Sequence, residues 1–174
     1  MLERLFVQNF AVIKELSLEL GPGLTVLSGE TGAGKSIMLG AVGLLLGNRA
    51  DIKALLDPEK KCVVEGNFGI GNYGLEDFFK SEDLDFDAEC IIRREISPNG
   101  KSRAFINDTP VRLETLKDLG KALMDIHSQH DNLQLGEGEY QLELVDAFSK
   151  SQVERSNYST AFTSFKTAKK AFEK

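Results

Sequence analysis

The run Gly29-Glu30-Thr31-Gly32-Ala33-Gly34-Lys35-Ser36 has the residue types and spacing for one kind of chemistry, the capture of phosphate. It reads G-x-x-x-x-G-K-S, the P-loop or Walker A pattern. Glycines at 29, 32 and 34 permit backbone conformations that side chains block, so successive amide hydrogens can turn toward one point. A helix opening at that point adds the positive end of its dipole. The Lys35 ammonium is then placed to reach β- and γ-phosphates, and the Ser36 hydroxyl to serve as an oxygen ligand of Mg2+. Residues 29–37, closed by Ile37, are the expected binding set for a nucleoside triphosphate.

Elements on both sides must hold that loop. Residues 24–28 (LTVLS) read as a strand entering it, and the apolar run 37–46 as a helix leaving it. Earlier, residues 2–10 and 12–20 read as two strands. The second alternates Ile13, Leu16, Leu18 and Leu20 with Lys14, Glu15 and Glu19. Gly21-Pro22-Gly23 is a turn, and Gly47 suits the end of the helix. Residues 61–68 read as a further strand and 69–74 as a loop. The acidic stretch 75–87 reads as a short solvated helix with a buried aromatic side. Residues 90–96 and 102–107 form a hairpin whose turn contains Asn99-Gly100. After a second turn at 107–110, Thr109 is placed to help cap a helix over 112–124. Its Leu113, Leu116, Leu119 and Leu123 keep helical spacing. A polar connection containing His127 and His130 leads to a helix over 140–148.

From Ser149 the composition shifts: no proline or glycine, more lysine, and Tyr158, Phe162, Phe165, Ala168 and Phe172 spaced by fours and threes. That spacing fits the start of a heptad seam or a plain amphipathic helix. The domain expectation is therefore 1–148 as one lobe and 149–174 as an appended helix. The fold class expected is α/β: a mostly parallel sheet around the loop's helix, with an antiparallel β-subdomain from the early strands.

Composition sets further bounds. With 174 residues the chain can bury a sizeable core, and 41% hydrophobic with 28% charged residues is a globular balance. A formal net charge of −6 gives no global positive field toward nucleic acid or anionic lipid, so such a partner would be met through a local patch. Arg94, Lys101 and Arg103 on the hairpin fit phosphate contacts or plain solvated charge. Cys62 and Cys90 lie in no metal spacing and fit a reducing compartment. No leader is evident and no apolar run spans a bilayer, so the expectation is a cytoplasmic protein with no membrane partner.

A P-loop enzyme also needs a carboxylate that holds magnesium through water, after an apolar strand. Asp125 and Asp146 are the candidates, and both read better as surface helix residues. No glycine-rich signature motif occurs elsewhere. The chain reads as half of an ATPase.

Four stretches carry a family resemblance: residues 5–13 (LFVQNFAVI), 29–37 (GETGAGKSI), 100–107 (GKSRAFIN) and 126–130 (IHSQH). Together they resemble the N-terminal head segment of the RecN family, bacterial DNA-repair ATPases related to the SMC proteins. The resemblance spans roughly residues 1 to 148. It implies ATP and Mg2+ as cofactors and ATP hydrolysis by the complete protein, in double-strand break repair and recombination. It implies a C-terminal lobe of the same protein that supplies Walker B and signature motifs beyond a long coiled coil. A second head, as in a homodimer, would sandwich the ATP, and DNA would be the partner of the whole, nucleoid-associated assembly. By position, Gln129 looks like the glutamine-loop residue sensing magnesium and the γ-phosphate, with Ser128 where the family usually has glycine. Lys35 and Gln129 are then the expected catalytic residues, and Ser36 and Gln129 the metal-side ones. Two other readings fit the loop itself: a self-contained small P-loop kinase using Asp125, or a non-catalytic nucleotide-binding interaction module. Zinc at His127 and His130 is disfavoured for want of further ligands.

Overall fold

A computed structural model describes residues 1–28, 33–126, 138–149 and 151–172. The chain divides into two compact units, Met1–Ile126 and His127–Lys174.

The first unit is built on a six-stranded sheet of order β2-β1-β3-β4-β5-β6. Its strands are β1 (Leu2–Phe10), β2 (Ile13–Glu19), β3 (Cys62–Gly69), β4 (Glu89–Ile96), β5 (Ser102–Ile106) and β6 (Thr109–Val111). Alternation of side chains sends Cys62, Val64 and Phe68 of β3 and Cys90, Ile92 and Ile96 of β4 into the core. The opposite face carries Glu65, Arg93 and Glu95, only half-buried. The β4–β5 turn uses its Asn-Gly pair in a particular way: Gly100 alone takes a left-handed φ of 79°. Its amide donates to the Ser97 carbonyl at 2.9 Å, a turn that Pro98 favours at its second position. The β5–β6 turn differs, with both Asn107 (φ 47°) and Asp108 (φ 62°) left-handed, as a two-residue hairpin requires.

Helix α1 (Ala33–Leu45) lies against β3 and β4, and α3 (Leu113–Leu123) against β5. Gly47 ends α1 at φ 84°; its amide donates to the Leu44 carbonyl at 3.2 Å, and the Asn48 amide to that of Gly43 at 2.9 Å. This pair of bonds satisfies carbonyls that a helix end leaves open. Gly120 of α3 sits where an added Cβ would stand 3.0 Å from the Leu46 Cα, so α3 meets the chain just past the end of α1 through a missing side chain. The short α2 (Glu76–Ser81) buries Phe79, ringed edge-on by Phe78 at 5.8 Å and Phe86 at 5.4 Å.

Three expectations are corrected. All five strand pairings among the described residues are antiparallel, so the sheet is not mostly parallel. Residues 24–28 form no ladder among the described residues; with no strand neighbour to take its hydrogen bonds, the segment stays exposed. Thr109 does not cap α3, because it is spent in β6; the N-cap is Arg112, which makes no side-chain capping bond. Of the four leucines that keep helical spacing along α3, Leu116, Leu119 and Leu123 are buried and Leu113 is exposed.

The second unit contains α4 (Gly138–Ser149) and α5 (Gln152–Phe172). Along α5, hydroxyls of Thr160, Thr163, Ser164 and Thr167 donate to carbonyls four residues back, and Tyr158 stacks on Phe162 at 5.6 Å. Phe162, Phe165 and Phe172 are all exposed.

Candidate nucleotide-binding site

The site begins at the mouth of α1. Gly34, Lys35 and Ser36 are exposed in its first turn, where backbone amides have no acceptor within the helix. The other end is sealed: Ala41, Leu44 and Leu45 are buried, and Ile37 and Met38 pack against the same core. A cleft of about 320 Å³ opens beside this turn. Val12, Ile13 and Leu16 of the β1–β2 hairpin line one side, and Ser28, Lys35 and Met38 another. A mostly apolar cleft of about 270 Å³, lined among others by Leu5, Leu18, Leu27 and Val42, also touches Lys35.

The hairpin wall is held from behind. Ala11, at φ 51°, donates its amide to the Ala54 carbonyl at 2.6 Å. Asn9 is buried at φ 55°, a conformation asparagine tolerates better than most residues. Its Nδ2 donates to the carbonyls of Asp57 (3.0 Å) and Lys60 (2.8 Å), and its Oδ1 accepts from the Asp57 amide (2.7 Å). One side chain thus fixes the 57–60 turn behind the hairpin.

Of the residues expected to grip phosphate, Ala33, Gly34, Lys35, Ser36 and Ile37 stand together at the opening of α1. Gly29, Glu30, Thr31 and Gly32 lie outside the described residues, as do Gln129, His127 and His130. Asp125 is exposed just past the C-terminus of α3 rather than within a helix. Asp146 lies in α4, 3.7 Å from Arg155. Neither stands at a strand end. Among the described residues no three His, Cys, Asp or Glu side chains gather as a metal site, and no helix is long and apolar enough to cross a membrane. Burial pushes the thiols of Cys62 and Cys90 up to about 11 and about 12, so both stay neutral and unreactive.

Arg93 and Arg94 meet different surroundings. Arg93 lies 3.0 Å from Asp108, 3.6 Å from Glu95 and 3.8 Å from Glu65, with its guanidinium 4.7 Å over the Phe105 ring. Arg94 points to the core face beside Cys90, Ile92 and Ile96 and is buried, which excludes a solvated role for it. The period-two alternation of 90–96 was the signal: Arg94 shares the parity of the apolar residues.

An exposed Gly-Lys-Ser turn opening a helix packed on a sheet defines a P-loop nucleotide-binding head. The family model described as "AAA domain" matches residues 4–174, and the chain belongs to that family. Its relatives make the reading narrower. DNA repair protein RecN of Vibrio cholerae is 44% identical over 150 residues, 86% of this chain and 27% of that protein. The resemblance to RecN drawn from the four motifs therefore holds. Among solved structures, a chain from work on ATP-driven dimerization and DNA stimulated activation of SMC ATPases superimposes with a TM-score of 0.55 at 22% identity, covering 80% of this chain and 89% of that one. The recombination mediator protein RecF-ATPrS gives 0.52 at 23% identity, covering 67% and 29%. These likenesses establish the SMC-type head fold, mixed α/β with an antiparallel sheet. The chain spans between 27 and 31% of the length of the curated relatives it matches.

Proposed function

We propose that this chain is the ATP-binding N-terminal part of an SMC-like DNA-repair ATPase of the RecN type. The carrying observation is the exposed Gly34-Lys35-Ser36 turn at the open end of α1, beside a cleft of about 320 Å³. The amides of a helix's first turn and the helix dipole favour phosphates there, and the Lys35 ammonium adds a positive charge. Ser36 would hold Mg2+, which bridges phosphate oxygens and spreads their charge when bound. Val12 and Ile13 offer apolar surface for the base, and Gln129 is assigned the glutamine-loop role by its motif alone.

Residues 1–148 then form the N-terminal lobe and 149–174 the first turns of a coiled-coil helix, whose exposed aromatic side supports that role. The complete protein would hydrolyse ATP once a C-terminal lobe supplied the missing carboxylates and a second head closed over the nucleotide. Head engagement would be coupled to DNA in double-strand break repair and recombination, in the cytoplasm at the nucleoid. The exposed apolar residues of 24–28 and the cleft beneath them support a contact with the second lobe.

Calorimetric titration with Mg-ATP tests the reading. Wild type binds with saturating heat but turns over negligibly. Lys35→Ala weakens binding by about 1.5–3 kcal/mol, the scale of a charged hydrogen bond, without a change in melting temperature. Equal affinity in the two, or turnover by the chain alone that Lys35→Ala removes, overturns it.

A further inference from the structure

The core face of β4 contains a charge that nothing among the described residues balances. Arg94 is 3% exposed, and the ladder sets Val64 and Ala104 on either side of it. Among the described residues its side chain makes no hydrogen bond or ion pair, and its Nε is shut off from solvent without a partner. Burial alone lowers its affinity for its proton; no carboxylate offsets the effect. A guanidinium largely withdrawn from water without a charge partner is in an unfavourable state. Arg93, one residue away, shows the usual remedy in its three acidic neighbours.

Arg94 also lines a cleft of about 420 Å³. Arg49 enters it from the segment after α1, and Ser102 and Arg103 from β5. Leu113 brings the start of α3, whose N-cap lacks a side-chain bond, so the positive end of an eleven-residue helix reaches the same space. Three arginines line the cleft and, among the described residues, no carboxylate does; Arg103 contributes from the strand itself, because the ladder sets its side chain on the face of Glu95, away from Arg94. Glu95, which faces Arg103 across the ladder, is held by Lys61 at 3.2 Å and lies 3.6 Å from Arg93. This cleft shares no lining residue with the one beside Lys35.

We propose that the Arg49–Arg94–Ser102 cleft is a second phosphate-binding site, distinct from the loop at 29–36. Arg94 donates from the floor, and Arg49 and the Ser102 hydroxyl donate from the rim. A carboxylate offers two oxygens and one charge to this set. A phosphate offers tetrahedral oxygens and, as a monoester or free ion, up to two charges, which matches two guanidinium forks and a hydroxyl. The phosphate comes either from a nucleic-acid backbone or from a small free phosphate.

The test uses the Lys35→Ala chain, so that the P-loop contributes nothing and a failure of the nucleotide reading is told apart from a failure of this one. Inorganic phosphate is titrated at ionic strength fixed with NaCl. Melting temperature and the Arg Nε–Hε resonances are followed. The expected result is saturable stabilisation with a shift of the Arg94 resonance. Arg49→Ala, at an exposed position, weakens it about tenfold. Arg94→Met abolishes it while holding or raising the melting temperature without phosphate, because apolar replacements of buried charges are often tolerated. An absent or non-saturating response, or one unchanged in Arg49→Ala, overturns the proposal. An oligothymidylate without terminal phosphates separates the sources. Arg49-dependent binding of it, competed by inorganic phosphate, assigns the backbone diester; a response to inorganic phosphate alone assigns the small ion.

Discussion

Strand β3 and residues 24–28 are made of similar residues and end in opposite environments. Cys62, Val63 and Val64 lie in a strand hydrogen-bonded on both sides, and all three are buried. Leu24, Val26 and Leu27 are 92%, 73% and 52% exposed, with no ladder. β-Branched and apolar composition describes fitness for a pleated, half-covered surface; it does not supply the neighbour that completes one. A backbone without a partner keeps its hydrogen bonds with water, and its side chains stay out with it. The contrast separates a region that is finished within this chain from one that is not.

Substitutions sharpen that contrast. The largest effect belongs to Phe79→Ala, which empties an aromatic site buried under α2. It should cost about 3–5 kcal/mol in a denaturant titration. A loss under about 1 kcal/mol would place α2 outside the finished region. Asn9→Ala is expected to cost about 1–3 kcal/mol, since it strands buried backbone groups of the 57–60 turn and forces alanine into a left-handed conformation. If Asn9→Ala melted like wild type, the hairpin wall would not be tied from behind. Val26→Ser should change stability by no more than about 0.5 kcal/mol, because an exposed side chain has little to lose. A drop well beyond that would show that residues 24–28 are packed in solution.

Local chemistry was legible in the residues wherever one element decides the outcome. The boundaries of β1, the Gly47 helix end, the β4–β5 hairpin and the buried side of the acidic helix all follow from neighbours within a few positions. What could not be read depends on distant partners. Strand direction is set by which elements pair, and here β1 meets β3 across more than fifty residues, antiparallel. β6 was hidden because three residues around Pro110 carry no period. At the candidate site, the place of Lys35 and Ser36 at the opening of α1 was legible because a glycine-spaced motif sets the start of the helix locally. Arg94 was half-legible: its type suggested phosphate, its parity in the strand suggested burial, and only the fold puts both into one cleft.

The two margins of the six-stranded sheet share one property. β6 is three residues long and contains Pro110, which has no amide hydrogen to offer an incoming strand. β2, at the other margin, carries Lys14, Glu15 and Glu19, charges that discourage a second copy from lining up along it. Self-association by sheet extension is therefore blocked at both ends, which protects the chain from aggregating edge to edge.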